Sequence, residues 1–400
     1  MISESRKIFG LLFSVAFSSI GFIAAITVTV LAAREVSNNP LFLGFPNAVG
    51  VGGAFIGTQM FYKISKKYSR LAALSITFLI GAIGSIVLFY SLIIDSFILL
   101  MMGALILGFG QSATLQSRYA ASFVASENFK ATALSLAVWC SVFGSVFGPR
   151  LVSLYSEYFN KLFESELIVG YIVAMVGMLF ASASVITFTS SKSSLRNPAE
   201  TEVNDNQKFS NSKVGGRTLT LLLVLNHFTM VVIMSATPLH VQDIGETVQL
   251  VGVIISYHTL GMFLLSPILG NYVDRYGYRR FTYIGTGILF ISCLITFINS
   301  GPTALKIGLY LLGLGWNFNY VAISAAISKF SIKYKSPLNI RSDSFVFLGS
   351  FTAHTTLGLS YMLIGYKGLV IVGMLVSVYL FLNNYWRPKL WIFCKEYYST

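Results

Sequence analysis

The sequence has few charged residues: Asp, Glu, Lys and Arg together make up 11% of its 400 positions. An ordinary soluble domain carries roughly 25% charged residues, so this scarcity excludes a typical soluble globular protein. Hydrophobic residues make up 55% of the chain, and its mean hydropathy is +0.72. The composition therefore indicates a membrane protein.

Cysteines and the motifs of catalysis are also scarce. Cys140, Cys293 and Cys394 have no spacing typical of a disulfide framework or a metal site, so we expect free thiols. There is no Gly-x-Ser-x-Gly elbow, phosphate-binding loop or His-Glu-x-x-His pair, and no repeated selectivity element of a channel. We therefore expect no cofactor, no metal and no enzymatic activity.

Long apolar runs are what the sequence does have. A transmembrane helix needs about 20 apolar residues, whereas a barrel strand is about ten residues of alternating polarity. The first run is too long for a signal peptide, so we expect it to be retained. We predict an all-α membrane protein with twelve transmembrane helices, with cores at 9–33, 41–62, 71–91, 97–118, 131–155, 166–190, 218–239, 249–271, 281–299, 303–327, 345–365 and 367–386.

The net charge of +13 does not indicate nucleic-acid binding, because no segment outside the membrane is long enough to form a basic domain. If both termini are cytoplasmic, all but five of the 28 Lys and Arg residues lie in cytoplasmic segments; the five are Arg34, Arg150, Lys161, Lys306 and Lys367. The positive-inside rule therefore predicts a multi-pass protein of the cell membrane with both termini in the cytoplasm.

The chain divides into two similar halves. Residues 191–216 are polar and predict a cytoplasmic linker between a six-helix bundle at 1–190 and a second at 217–400 that ends in a short cytoplasmic tail. LGFGQS at 107–112 resembles LGLGWN at 312–317, at the same place in the fourth helix of each half. Internal repeats of this kind are typical of transporters.

The stretch GNYVDRYGYRR at 270–280 has the pattern Gly-x-x-x-Asp-Arg-x-Gly-x-Arg-Arg, which resembles the loop signature of the major facilitator superfamily. GSVFGP at 144–149, with Gly144, Gly148 and Pro149, is similar to the Gly-Pro motif of its antiporter branch. QSRYAASFVA at 116–125 and ISYHTLGMFLLSPILG at 255–270 resemble poorly characterised prokaryotic members. The resemblance covers essentially the whole chain and implies two pseudo-symmetric six-helix bundles.

The loop signature implies a gate at the cytoplasmic side. We expect Gly270 to allow close helix packing, Gly277 to form a tight turn, and Asp274 to face the positive amino terminus of helix five. Arg275 and Arg279 would hold the loop. A solvated basic loop is the alternative. In the first half, YKISKKYSR at 62–70 places Lys66 where the signature has Asp and ends at Arg70, so only the second half can form the Asp latch.

Histidines are the candidate proton carriers, because no carboxylate is predicted at the bilayer midplane. His227, His258 and His354 lie within predicted helices, and an ionisable group in a membrane helix is a functional candidate by default. A neutral imidazole that bridges helices is the alternative for each. We favour His258, beside Tyr257, because it lies in a stretch shared with the resembling group.

Other polar and aromatic side chains could line a central cavity or bridge helices. Substrate contacts are predicted for Asn226, Gln111, Trp139, Trp316, Asn317 and Asn319. Arg34 and Arg150, near the outer helix ends, are expected to reach lipid headgroups rather than to attract an anionic substrate.

The resemblance implies a secondary transporter that is monomeric and whose partners are the lipid bilayer and a small-molecule substrate. The Gly-Pro motif favours efflux of amphipathic compounds. Uptake of a metabolite or siderophore, or a non-transporting receptor or scaffold, are the alternatives. Ala104 stands where drug/proton antiporters carry an arginine, which argues against their form of proton coupling.

Overall fold

The computed structural model describes residues 2–37, 39–125, 130–189, 213–333 and 338–386. Within these residues there are no strands, and the chain forms helices throughout. A short 3-10 helix, Pro40–Phe42, precedes the second α-helix. The α-helices are α1 (Ile2–Val36), α2 (Phe45–Lys67), α3 (Arg70–Ile93), α4 (Phe97–Val124), α5 (Lys130–Trp139), α6 (Ser141–Phe163), α7 (Ile168–Thr189), α8 (Lys213–Asp243), α9 (Val248–Phe263), α10 (Ser266–Tyr276), α11 (Tyr278–Ile298), α12 (Pro302–Lys333) and α13 (Leu338–Trp386).

The helical membrane class is confirmed. In the described part of the chain, ten helical segments are long and apolar enough to cross a membrane. One of them lies in α13, which is broken at Gly365 (φ 61°, ψ −175°) into two helices. α12 is not among the ten, and it carries Asn317 and Asn319 near its middle. Counting α12 and both parts of α13, the structure is consistent with twelve crossings.

Two predicted helices are interrupted. The segment predicted at 131–155 is divided at Cys140 into α5 and α6, and the segment predicted at 249–271 is divided into α9 and α10. The second break lies just before Pro267, which cannot donate a backbone hydrogen bond and disfavours helical geometry in the residue before it. Serine side chains cap the amino termini of two other helices. Ser69 accepts a hydrogen bond from the Ala72 N–H of α3, and Ser96 caps α4 in the same way.

The first helix of the second half, α8, begins inside the predicted linker. α8 starts at Lys213, whereas the predicted linker extends to residue 216. Two glycines, Gly215 and Gly216, suggested a flexible segment, but the helix continues through them. The remainder of the predicted linker, the tail after Trp386 and Cys394 lie outside the described residues.

Glycines bring α4 against α2, and they bring α12 against α9 in the same way. A Cβ atom on Gly108 of α4 would overlap the carbonyl oxygen of Gly50 in α2. In the second half, a Cβ atom on Gly313 of α12 would overlap the carbonyl oxygen of His258 in α9. The backbones of both helix pairs are therefore in direct contact, as is common for small residues in membranes.

A second pair of contacts repeats this pattern in the opposite direction. A Cβ atom on Gly53 of α2 would overlap the Leu105 carbonyl oxygen, and one on Gly261 of α9 would overlap the Tyr310 carbonyl oxygen. Gly53 and Gly261 are 208 residues apart, as are Gly50 and His258. The weak sequence repeat thus corresponds to equivalent packing in the two halves.

The halves meet at the end of the bundle that holds Arg34, here called the Arg34 end. There α1 packs against α8, the 3-10 helix and α2 pack against α13, and α6 packs along α9. At the opposite end α10 lies next to α5. Contacts between the halves therefore occur at both ends, with the most extensive ones running from the Arg34 end inward.

Candidate functional site

An ion pair joins the two halves at the Arg34 end. Arg34 Nη1, at the end of α1, lies 2.9 Å from Asp243 Oδ1 at the end of α8, and it donates to Gln242 Oε1 at 2.7 Å. Tyr361 of α13 donates to Asp243 Oδ2 at 2.6 Å. The expectation that Arg34 reaches lipid headgroups is wrong, because a carboxylate and an amide from the other half lie within its range. Arg150 is exposed.

The Gly-Pro motif lies where α6 contacts both α1 and the other half. Cβ atoms on Gly144 and Gly148 would come within 2.6 and 2.7 Å of Ser19 and Ile20 in α1. A Cβ atom on Gly252 of α9 would lie 2.5 Å from the Pro149 carbonyl oxygen.

Farther along the same interface, Ser256 of α9 donates to the Ser145 carbonyl oxygen of α6 at 2.9 Å. Gln249 donates to Glu157 at 3.5 Å nearer the Arg34 end. The motif glycines and the polar contacts beside them thus align α6 and α9 across the two halves.

The loop between α10 and α11 agrees with the predicted gate only in part. Gly277 has φ +91° and ends α10, as the predicted turn requires. A Cβ atom on Gly270 would meet no described atom within 4 Å, so the close packing predicted there is not found. Arg275 is exposed, and Arg279 donates to the Asn384 carbonyl oxygen at 3.3 Å, which ties this loop to the end of α13.

The first-half loop and the predicted Asp latch are described only in part. Arg70 begins α3 and is half-buried. The side chains of Lys66 and Asp274 lie outside the described residues, although α10 itself lies next to α5. The Asp274 latch stays a prediction.

Amide side chains connect α8 to α12 near their middles. Asn319 Nδ2 donates to Asn226 Oδ1 at 3.0 Å, and Asn226 Nδ2 donates to the Trp316 carbonyl oxygen at 3.2 Å. Asn226 and Asn319 are fully buried. Ser266 donates to Asn317 Oδ1 at 3.1 Å. The three asparagines therefore bridge helices within the second half.

The first half has an equivalent contact with smaller side chains. Thr114 of α4 donates to Ser18 of α1 at 2.9 Å. Ser18 precedes Asn226 by 208 residues, and Thr114 precedes Asn319 by 205, the offset that also relates Gly108 to Gly313. By the same offset Gln111 corresponds to Trp316. Gln111 is half-buried, and its buried Oε1 atom has no hydrogen-bond partner among the described residues.

His227 lies beside two aromatic rings of α12. Trp316 Nε1 donates to His227 Nδ1 at 3.2 Å, and the indole stacks on Tyr320 with ring centroids 4.6 Å apart and planes at 20°. His227 and Tyr320 are half-buried, whereas Trp316 is 6% exposed. His227 lies on α8, and Trp316 and Tyr320 lie on α12.

The other two histidines have different surroundings. His258, favoured from the sequence, is fully buried between α9 and α12, where Nδ1 lies 2.9 Å from the Leu309 carbonyl oxygen. Because only an Nδ1–H can donate to that carbonyl, Nε2 carries no proton in the neutral ring, and it has no partner among the described residues. His258 therefore has the surroundings of a histidine that bridges helices. His354 Nδ1 lies 3.3 Å from Ser235 Oγ.

Two aromatic candidates are at the surface of the described chain. Trp139, at the end of α5, is 36% exposed and meets Phe143 edge to face, with centroids 6.0 Å apart. Tyr257 is 47% exposed. Neither belongs to the His227 group.

Sequence reasoning missed the polar cluster at the Arg34 end, where Asp243, Gln242 and Tyr361 meet Arg34. One signal was present: Gln242 follows Arg34 by 208 residues, so Arg34 and Asp243 lie at equivalent ends of the first helix in each half. Opposite charges at such positions predict a contact if those two helices face each other. Tyr361 gave no comparable signal.

Comparisons with known proteins agree on one family. The family model described as Major Facilitator Superfamily matches residues 9–353. The uncharacterized MFS-type transporter YdeG of Bacillus subtilis is 30% identical over 339 residues, which cover 80% of this chain and 77% of YdeG. The riboflavin transporter RfnT of Brucella anthropi is 23% identical over 303 residues, 74% of each chain.

Two solved structures share the fold. An auto-inhibited peptide transporter of the POT family has a TM-score of 0.64 at 13% identity, and the match covers 99% of this chain and 98% of that one. The xylose transporter XylE of E. coli, in a partially occluded inward-open conformation, has a TM-score of 0.64 at 14% identity, with coverage of 94% and 97%.

Proposed function

Because the chain belongs to the Major Facilitator Superfamily, a family of multi-pass membrane transporters, we propose that it moves a small, uncharged organic solute across the cell membrane by alternating access. The observation that carries this proposal is the half-buried His227 group near the middle of α8 and α12, in a chain whose two halves pack alike. Rocking of two such halves about a central site is the transport mode of this kind of repeat.

The charge of the solute follows from the positions of the carboxylates. By their positions in the sequence, the 15 Asp and Glu residues all fall outside or near the ends of the predicted membrane-spanning segments. A cation at mid-depth would lose its hydration without gaining a carboxylate partner, which is costly. This supports a neutral solute. Among the amphipathic compounds predicted from the sequence, it argues against cationic drugs.

Outward transport is our first proposal for the direction, and it is supported by the Gly-Pro motif of α6. A second candidate is the transport of a flat heteroaromatic metabolite, which is supported by the similarity to the riboflavin transporter RfnT and by the aromatic rings around His227. We propose a proton as the coupling ion, with His227 better placed than His258 to carry it, because His227 is half-buried and His258 is fully enclosed.

Further proposals concern the state of the protein in the cell. We propose a monomer with both termini in the cytoplasm, as the distribution of Lys and Arg supports, which places the Arg34 end outside. We also propose that the chain binds no cofactor or nucleic acid and catalyses no reaction.

A ligand screen tests the proposed function. A compound that binds only the folded protein raises its stability by about 2.7 kcal/mol at one hundred times Kd, so thermal unfolding of the purified protein reports binding. We expect neutral aromatic compounds, riboflavin among them, to raise the apparent Tm, and the cationic dye ethidium to leave it unchanged. Compounds that bind are then tested for pH-gradient-driven uptake into proteoliposomes. Stabilisation by cations alone would contradict the proposed solute class, and the absence of gradient-driven transport would contradict the coupling.

A further inference from the structure

The hydrogen bond from Trp316 sets the tautomer of His227. An indole Nε1–H is a donor only, so His227 Nδ1, 3.2 Å away, must accept. In the neutral ring the proton is therefore on Nε2. His227 thus offers an Nε2–H donor on the side of the ring opposite Trp316.

Three helices hold Trp316 in this position. Asn226 of α8 binds its carbonyl oxygen, and Asn319 binds Asn226. Thr286 of α11 donates to Asn319 Oδ1 at 3.4 Å, and Tyr320 stacks on the indole. Because Asn226 and Asn319 are fully buried, the network is screened from water and its geometry is fixed.

His227 lies on the side of α8 that is turned toward the first half of the molecule. Gln242, which accepts a hydrogen bond from Arg34 of the first half, lies 15 residues farther along α8, and at 3.6 residues per turn this is about 60° around the helix from His227. A partly exposed imidazole near the middle of a membrane helix is costly against lipid. The space between the halves is therefore where the Nε2–H donor points.

The equivalent position in the first half holds a complementary group. Gln111 corresponds to Trp316 through the same 205-residue offset that relates Gly108 to Gly313. Its Oε1 atom is buried without a described partner, and an unpaired buried acceptor costs about 1–3 kcal/mol. A solute that donates a hydrogen bond at this level would satisfy it.

This inference rests on the proposed transport function, and these features indicate the shape and the hydrogen-bonding groups of the solute. We propose that His227, Trp316, Tyr320 and Gln111 form a binding site for an uncharged, flat heteroaromatic solute that carries both a carbonyl acceptor and an N–H donor. His227 Nε2–H donates to the carbonyl, Gln111 Oε1 accepts from the N–H, and Tyr320 extends the aromatic stack of Trp316 toward the ring of the solute.

Three neutral probes separate these contacts in binding titrations with the purified full chain. Lumazine is flat and has both carbonyl acceptors and N–H donors; dimethyllumazine keeps the acceptors without the donors; naphthalene has neither. Because one hydrogen bond contributes about 0.5–1.5 kcal/mol, we expect Gln111→Leu to weaken lumazine binding about three- to tenfold. The same variant should leave dimethyllumazine unchanged. Gln59→Leu, which removes an exposed amide of α2, is the matched control and should affect neither probe.

His227 variants test the other contact. His227→Phe should weaken lumazine and dimethyllumazine equally, again about three- to tenfold, and leave naphthalene unchanged. His227→Gln keeps an N–H donor, so it should bind both near the native affinity, and it serves as the second variant if His227→Phe does not fold. Equal weakening of both lumazines by Gln111→Leu would overturn the role of Gln111. Unchanged binding in His227→Phe would overturn the role of His227.

The outcome for the site is distinguishable from the outcome for transport. If none of the three probes binds while a compound from the ligand screen is transported into proteoliposomes, the proposed site chemistry is wrong and the transport function stands. If lumazine binds as expected but no compound is transported, the site stands and the transport function is wrong.

Discussion

Replacing Gly53 by alanine is expected to lower the apparent Tm of the purified protein by about 1–4 °C, since overpacking a close contact costs about 1–3 kcal/mol and the unfolding entropy of a chain this long is large. A Cβ atom at this position would overlap the Leu105 carbonyl oxygen, which belongs to the backbone of α4 and cannot rotate away. The two helices would have to separate. Thermal unfolding in detergent, followed by size-exclusion chromatography, measures the loss.

The neighbouring residue provides the control. A Cβ atom on Gly52 would meet nothing within 4 Å, so Gly52→Ala should leave the Tm unchanged or raise it slightly, because alanine favours the helix. Gly261→Ala tests the repeat: its Cβ atom would overlap the Tyr310 carbonyl oxygen, and we expect a loss similar to that of Gly53→Ala. Equal stability of Gly52→Ala and Gly53→Ala would show that α2 and α4 are not in backbone contact.

Neutralising Arg34 is expected to open the Arg34 end. Arg34 binds Asp243 and Gln242 across the halves, and Tyr361 adds a third helix to the cluster. Both charged side chains are partly exposed, at 30% and 44%, so solvent weakens the pair. We expect Arg34→Gln to shift the population toward the state in which the halves are apart at this end.

Cysteine labelling measures this shift. Met234→Cys, in a chain whose native cysteines are replaced, places a thiol on α8 between the cluster and His227. Labelling by a membrane-impermeant maleimide applied from the Arg34 side should be about two- to fivefold faster with Arg34→Gln.

Two further variants decide whether the pair itself is responsible. Exchanging the charges, as Arg34→Asp with Asp243→Arg, should restore the slow rate. Lys161→Gln removes a positive charge from the last turn of α6 at the same end and should have no effect. If Arg34→Gln and Asp243→Asn both label at the native rate, the cluster is not a gate.

The helical membrane class and the family resemblance could be predicted because they depend on local sequence. Apolar runs of about 20 residues must satisfy their backbone hydrogen bonds within the bilayer, which selects helices wherever the runs occur. The family signature is contiguous, and the break at Gly365 falls at the end of the segment predicted at 345–365. Gly277 adopts the predicted turn because its positive φ is a local property of one residue.

The site was less predictable, because it depends on which faces of distant helices meet. His227, His258 and His354 all lie within predicted membrane helices. The helical periodicity of the sequence does not distinguish a half-buried histidine from one that is fully enclosed. Gly270 was expected to pack closely and does not, whereas other glycines do, Gly53 and Gly261 among them. Their neighbours are carbonyl oxygens about 50 residues away in the chain.

By itself, the sequence determined that this chain spans the membrane as helices, that it contains a repeat, and that its carboxylates lie away from the middle of those helices. Burial of apolar side chains and satisfaction of the backbone within lipid require nothing beyond the order of residues. Only the tertiary structure decided that Arg34 meets Asp243, that Trp316 fixes the tautomer of His227, and that His258 is enclosed. Those outcomes depend on the rotation and packing of helices against one another, which the period of a single helix does not specify.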